Sequence, residues 1–351
     1  MQYEDIIQVL GDEAEHLLAH SCQKIPKTLI HHTGRHHVEE IFSISNRSQG
    51  VLNSLRKLYG SGRLADTGYL SIFPVDQGME HTAAYSFFHN PLYFDPETII
   101  QMALEGGCNG VASTLGVLGL VSKKYAELLP FIVKINHSEH LTLPEKTDQL
   151  IFSSIRQARE LGAVAVGATI YFGSPESHQQ ITQIAEAFEL AHQVGLATIL
   201  WCYPRNPNYT TKDADYADSV DITSQAIHIG VTMGADIVKQ KMPTPSHGFP
   251  GLKFSKYSEG MYDRLLTEHP IDLVRYQVAH AYMGKIGLIN SGGESDSDDF
   301  KQAVRTAVIN KRAGGSGLIM GRKVFKRPFE EGVALLKAVQ DVYLCEKITI
   351  A

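Results

Sequence analysis

The sequence predicts an α/β fold, a (β/α)8 TIM barrel carrying a helical N-terminal extension. Eight short runs of apolar and β-branched residues recur between Leu70 and Arg322. They are continuous rather than alternating, as parallel strands are when both faces are covered. Amphipathic stretches separate them, and eight strand–helix repeats in the 285 residues from 67 to 351 fill one barrel. A doubly wound open sheet would also alternate, but no glycine-rich dinucleotide fingerprint follows the first run.

The extension comes first, over residues 1–66. EDIIQVLGDEAEHLLAH places Ile6, Ile7, Leu10, Leu17 and Leu18 at roughly helical spacing. HHTGRHH, His31 to His37, follows as a polar connection. It resembles a metal cluster in composition but lies far from the strand ends, so solvated loop is the reading adopted. RSQGVLNSLRKLYGSG then reads as a second helix stopped by glycines.

The barrel, residues 67–351, begins with LSIFPVDQG, NGVASTLG and FIVKINH. AVAVGATIYFG, ATILWCYPR and ADIVKQK continue it, and IGLINSGG and SGLIMGR complete it. KTDQLIFSSIRQARELG and SHQQITQIAEAFELAHQVG are the clearest intervening helices, each ending at a glycine suited to a helix stop.

Composition narrows the function. Net charge is −6 with 20% charged residues and no basic block, so no nucleic-acid partner is expected. LGVLGLV, Leu115 to Val121, is too short to span a membrane. Four scattered cysteines form no CxxC pair, and the N-terminus lacks a basic-then-apolar leader pattern. A cytoplasmic location is expected.

In such barrels the chemistry sits where strands end. Those ends carry Asp76, Lys134, Tyr171, Trp201 with Tyr203, Lys239, Ser291-Gly292-Gly293 and Gly321-Arg322. A lysine there can be an ion-pair partner, a phosphate ligand or a nucleophile. For imine chemistry it must be neutral, and burial or the cations Lys134 and Arg322 would lower its pKa. Lys239 and Lys241 share a strand face, but Lys239 directly follows Ile237-Val238 and is expected to be the deeper. Tyr203, Tyr171 and Asp76 are candidate acid–base groups. The glycine-bounded turns after the last two strands suit a phosphate, with Arg322 adding a forked contact.

Two stretches offer weaker metal sets: Asp76, Glu80 and His81 in DQGMEH, and NHSEH from Asn136 to His140. Neither closes a ligand shell, so no metal and no cofactor are expected. Cys202 alternates with Trp201 and Tyr203 and is expected in the core.

Taken together, PVDQG, VASTLGVL, VGATIYFGS, LWCYPR, GADIVKQK, LINSGG and LIMGRK resemble the archaeal-type (DhnA-type) class I fructose-bisphosphate aldolases, most closely the bacterial members. The resemblance runs over nearly the whole chain. It implies a metal-independent Schiff-base enzyme that reversibly cleaves fructose 1,6-bisphosphate, a phosphorylated sugar, and works as a homo-oligomer in glycolysis and gluconeogenesis. By position it implies Lys239 as the Schiff-base lysine, Asp76 as its assisting carboxylate and Tyr203 as the proton-transfer residue. Trp201 would shape the site, while Ser291, Gly292, Gly293, Gly321 and Arg322 would hold phosphate. Gln77 stands where many members carry histidine in D-H-G, so no histidine role transfers there. Relatives on this scaffold use the same lysine on other phosphorylated sugars or ketones, and such a lyase or transferase is the alternative reading.

Overall fold

A computed structural model describes residues 1–79, 81–142, 147–212, 214–293 and 298–351. Its strands in chain order are β1 (Leu70–Val75), β2 (Gly110–Thr114), β3 (Phe131–Lys134), β4 (Asn136–His137), β5 (Leu150–Ile151) and β6 (Ala165–Phe172). β7 (Ala197–Pro204), β8 (Ile237–Gln240), β9 (Gly287–Ser291) and β10 (Gly317–Ile319) follow. Eight of them close a barrel in the order β1, β2, β3, β6, β7, β8, β9, β10. Each neighbouring pair is parallel. β4 and β5 form a small antiparallel pair between β3 and β6. All eight apolar runs are therefore barrel strands.

The two faces of each strand explain why the runs do not alternate. Ile72, Ala112, Ile132, Ile199, Ile237, Ile289 and Ile319 fill the barrel interior in one cluster. Their neighbours Phe73, Val111, Phe131, Val166, Leu200, Val238 and Leu318 pack outward under the helices. Closure depends on Gly317, whose φ is +141 and where a Cβ would collide with the Leu70 carbonyl on β1.

The residues ahead of β1 close the barrel floor. Helix Gln49–Tyr59 starts at Ser48, whose Oγ accepts from the Val51 N–H at 3.4 Å. Its Val51, Leu55 and Leu58 join the interior cluster. Arg47 donates from Nε to Asp236 Oδ1 at 2.5 Å and from its guanidinium to the Gly234 carbonyl at 2.7 Å, fastening the extension to the foot of β8. The first predicted helix is split: Tyr3–Leu10 ends at Gly11, which takes φ +58, and a second helix runs over Ala14–Leu18.

The HHTGRHH stretch departs from expectation. His37 is buried rather than solvated, with its ring against Phe42 and Tyr59 and its Nδ1 3.1 Å from His31 Nε2. Burial pushes its imidazole down to about 4, with His31 adding to the shift. Helix Gln49–Tyr59 supplies the cover, a contact between segments that polar composition does not reveal. All four cysteines are free thiols. No helix among the described residues is long and apolar enough to cross a membrane.

Candidate active site

β8 lifts Lys239 into the barrel mouth between Trp201 on β7 and Ile289 on β9. Two adjoining hollows share it. The inner one, of about 130 Å³, is lined by Asp76, Lys134, Trp201, Tyr203, Ser291, Gly292, Gly293, Gly321 and Arg322. The outer one, of about 740 Å³, shares Lys239, Tyr203 and the glycine turn and opens toward Lys241 and Arg305. The inner space suits one reacting centre, and the outer leaves room for the rest of an extended molecule.

Depth separates the two lysines of KQK. Lys239 is 6% exposed. The Lys241 side chain is 37% exposed and pairs with Asp218 at 2.9 Å. Burial pushes the Lys239 amine down to about 7; Lys134, Lys241 and Arg322 push the same way, and Asp76 opposes them. Its Nζ lies 4.2 Å from the Tyr203 ring centroid.

Asp76 lies at the end of β1. His137 Nε2 donates to its Oδ2 at 2.8 Å, and Lys134 Nζ is 4.0 Å from the same oxygen. Burial pushes the Asp76 carboxyl up, but the His137 ring, the hydrogen bond from it and the Lys134 ammonium outweigh that, so the carboxylate is held well below its usual range. Lys134 also donates to Thr169 Oγ1 at 2.6 Å and lies 4.3 Å from the Trp201 ring centroid. Asn136 ties β4 to β6, its Nδ2 donating to the Thr169 carbonyl at 2.7 Å and its Oδ1 accepting from the Thr169 N–H at 2.7 Å.

One glycine makes this arrangement fit. A Cβ on Gly167 of β6 would stand 2.6 Å from the Trp201 ring and 3.3 Å from Lys134 Cδ. Any larger residue would displace the indole or the ammonium.

The two turns after β9 and β10 meet at the mouth. Gly293 adopts φ +80, which favours glycine. The Gly292 N–H is already engaged, donating to the Ile319 carbonyl at 3.2 Å. The helix after Gly321 covers only Arg322–Phe325. So short a helix has little dipole, and the positive charge at this edge rests mainly with the Arg322 side chain.

Other expectations are redistributed. Tyr171 is buried on β6 and lines neither hollow; the Arg205 guanidinium lies 5.6 Å from its ring centroid. Cys202 faces the helices, 3.6 Å from the Leu200 carbonyl, and burial pushes its thiol up, away from the nucleophilic form. Of the two weak metal sets, Glu80 lies outside the described residues and His81 lines the inner hollow. His137, from the second set, is bound to Asp76 instead. Sequence reasoning missed His137 and Thr169 as site residues. Gln77 also faces the inner hollow, and its buried Oε1 has no hydrogen-bond partner among the described residues.

Away from the mouth, His20, Cys22 and Asp272 place ligand-type atoms within 4.8 Å of one another. Asp272 already accepts from His20 at 3.1 Å and from the Thr267 hydroxyl, and the Arg275 and Arg312 charges act on Cys22. The group reads as a polar fastening between the extension and helix Pro270–His280.

The chain is similar to known proteins over most of its length. The profile described as DeoC/LacD family aldolase matches residues 70–327. The chain is 52% identical over 347 residues to a protein of Chlamydia pneumoniae named probable fructose-bisphosphate aldolase class 1, covering 99% of both. It is 27% identical over 276 residues to a Halobacterium salinarum fructose-bisphosphate aldolase class 1, covering 78% of this chain and 90% of that one. An archaeal fructose-1,6-bisphosphate aldolase, solved with its catalytic lysine covalently bound to the carbinolamine intermediate, superposes with a TM-score of 0.63 at 25% identity. That match covers 82% of this chain and 98% of the archaeal one.

Proposed function

This chain belongs to the DeoC/LacD aldolase family, and we propose that it is a metal-independent class I fructose-1,6-bisphosphate aldolase with Lys239 as its nucleophile. The observation that carries the assignment of Lys239 is its buried amine, held near neutrality at the barrel mouth among other cations. Only a neutral amine can attack a ketone.

The reaction follows from that amine. Lys239 Nζ adds to the C2 ketone of the bisphosphate, and the carbinolamine loses water to leave a protonated imine. The C4 hydroxyl then gives up its proton. Its electrons form the aldehyde C=O, the C3–C4 bond breaks, and the bond pair moves into the imine as an enamine. Glyceraldehyde 3-phosphate departs. C3 takes a proton, water adds to the regenerated imine, and dihydroxyacetone phosphate is released with the free lysine.

Tyr203 beside the amine is the proton carrier at C4 and C3. Asp76, kept ionised by His137 and Lys134, takes part in the carbinolamine steps and orients the substrate hydroxyls. Trp201 and Gly167 set the width of the inner hollow. Ser291, Gly293, Gly321 and Arg322 hold the ketone-side phosphate, so that phosphate binding presents C2 to Lys239. Glycolysis and gluconeogenesis in the cytoplasm, with the chain as a homo-oligomer, complete the reading.

Borohydride reduction in the presence of dihydroxyacetone phosphate, followed by peptide mapping, tests the assignment. One adduct per chain is expected, on Lys239, with or without EDTA. An adduct on Lys134 or Lys241, or activity lost to EDTA and restored by a divalent ion, would sink it.

The lowered amine pKa sets the pH dependence. The nucleophile is the unprotonated form, whose fraction grows as pH rises. Imine trapping is therefore expected to accelerate through about pH 7 and level off above it. A rate still climbing toward the ordinary lysine range near about 10.4 would show that the amine is not perturbed.

Arg322→Ala is expected to weaken binding of phosphorylated substrate. A hydrogen bond to a charged group contributes about 1.5–3 kcal/mol, which is roughly tenfold or more in affinity. Unchanged affinity in the folded variant would remove Arg322 from the phosphate site.

A further inference from the structure

Directly after Arg322, Lys323 turns away from solvent. It is 1% exposed, a costly position for an ammonium group unless it is paired. Its Nζ is 3.0 Å from Asp299 Oδ1 and donates to Gln302 Oε1 at 2.6 Å. Asp299 is equally hidden, 2% exposed, and its Oδ2 accepts from Arg327 at 3.0 Å.

The partners come from different βα units. Asp299 and Gln302 open helix Asp299–Ala313, which follows the turn after β9. Lys323 and Arg327 belong to the segment that follows β10. The same lysine passes beneath the first turn, with its Cε 3.9 Å from where a Cβ on Gly293 would stand. Two neighbouring turns, each supplying part of one candidate phosphate site, are thus joined by a buried ion pair directly behind them.

We infer that Lys323 is a positioning residue for phosphate recognition, clamped to Asp299 so that the Gly293 turn and the Arg322 side chain stay at the spacing a phosphate group requires. The inference rests on the reading of these turns as the phosphate site. A loose exposed pair could not do this work, because solvated ion pairs hold geometry weakly. A desolvated pair with a third hydrogen bond permits few alternative arrangements. The clamp acts on the phosphate and not on the amine, so its loss should fall on substrates that carry the group.

The test compares trapping by borohydride with dihydroxyacetone phosphate and with unphosphorylated dihydroxyacetone, on the full chain. The readout is the ratio of the two trapping efficiencies. In Lys323→Met and in Asp299→Asn this ratio is expected to fall roughly tenfold, as small misplacements of a binding group do. KM for the bisphosphate should rise by a similar factor, with kcat changing much less. Lys323→Arg, which keeps the charge, should recover most of the ratio.

An unchanged ratio in folded Lys323→Met, with a lowered ratio in Arg322→Ala, overturns the clamp alone. An unchanged ratio in both overturns the phosphate reading and the clamp with it. An equal loss with both ketones also overturns the clamp, since it marks general damage to the fold. Should Lys323→Met not fold, Asp299→Asn and Lys323→Arg carry the same comparison.

Discussion

Replacing Lys239 with alanine is expected to abolish borohydride trapping and nearly all cleavage while leaving the barrel folded. The amine is the only atom proposed to bond to substrate. Without it the C3–C4 bond loses its electron sink, since Lys134 is engaged by Thr169 and Asp76 and Lys241 by Asp218. The barrel should survive, because interior packing comes from Ile199, Ile237, Ile289 and Ile319 rather than from the lysine. Removing the buried amine from beside Lys134 also removes the repulsion that its protonated form meets there.

Lys239→Arg should fail as completely. Guanidinium stays protonated across the working range and cannot form the imine. Circular dichroism and thermal melting establish folding, and mass spectrometry of the reduced complex reads the adduct. A folded Lys239→Ala variant that still cleaves the bisphosphate at the wild-type rate would exclude the mechanism.

How far the site is legible in the sequence follows from how far apart its parts lie. The strand that carries Lys239 declares itself locally: two β-branched residues precede a lysine, and the barrel pattern places strand ends at the mouth. Depth on that strand is local too, which is why Lys239 and Lys241 can be ranked before any coordinates are known. His137 is different. Its partner Asp76 is 61 residues away in the chain, and only closure of β1, β2 and β3 side by side brings the imidazole and the carboxylate together at the mouth. Within NHSEH a histidine resembles a metal ligand as much as a carboxylate's partner.

Tyr171 fails for a related reason. Register aligns it with Tyr203, so alternation gives both the same inward parity. Alternation does not say which residue borders the hollow, and Tyr203 does while Tyr171 packs beside Arg205. His37 and Gly167 need tertiary partners to be read at all. A histidine-rich loop looks solvated until Tyr59 covers it, and a strand glycine looks incidental until Trp201 and Lys134 occupy the space above it.

Tyr203→Phe is expected to keep imine formation and lose turnover. The ring, 4.2 Å from the lysine amine, would still pack against it, so nucleophilic attack and borohydride trapping should proceed at close to the wild-type rate. What disappears is the hydroxyl, and with it the proposed carrier for the C4 and C3 protons. General acid–base groups contribute about 100- to 10,000-fold, and cleavage should fall within that range. Two measurements separate these steps on the same preparation: the rate of inactivation by borohydride with dihydroxyacetone phosphate, and steady-state cleavage of the bisphosphate. Slow cleavage with normal trapping supports Tyr203 as the proton carrier. Equal loss in both would mean that the hydroxyl serves the amine instead. Full cleavage in the variant would pass the role to Asp76 with His137, a hydrogen-bonded acid–base pair facing the same hollow, since Tyr171 does not border it.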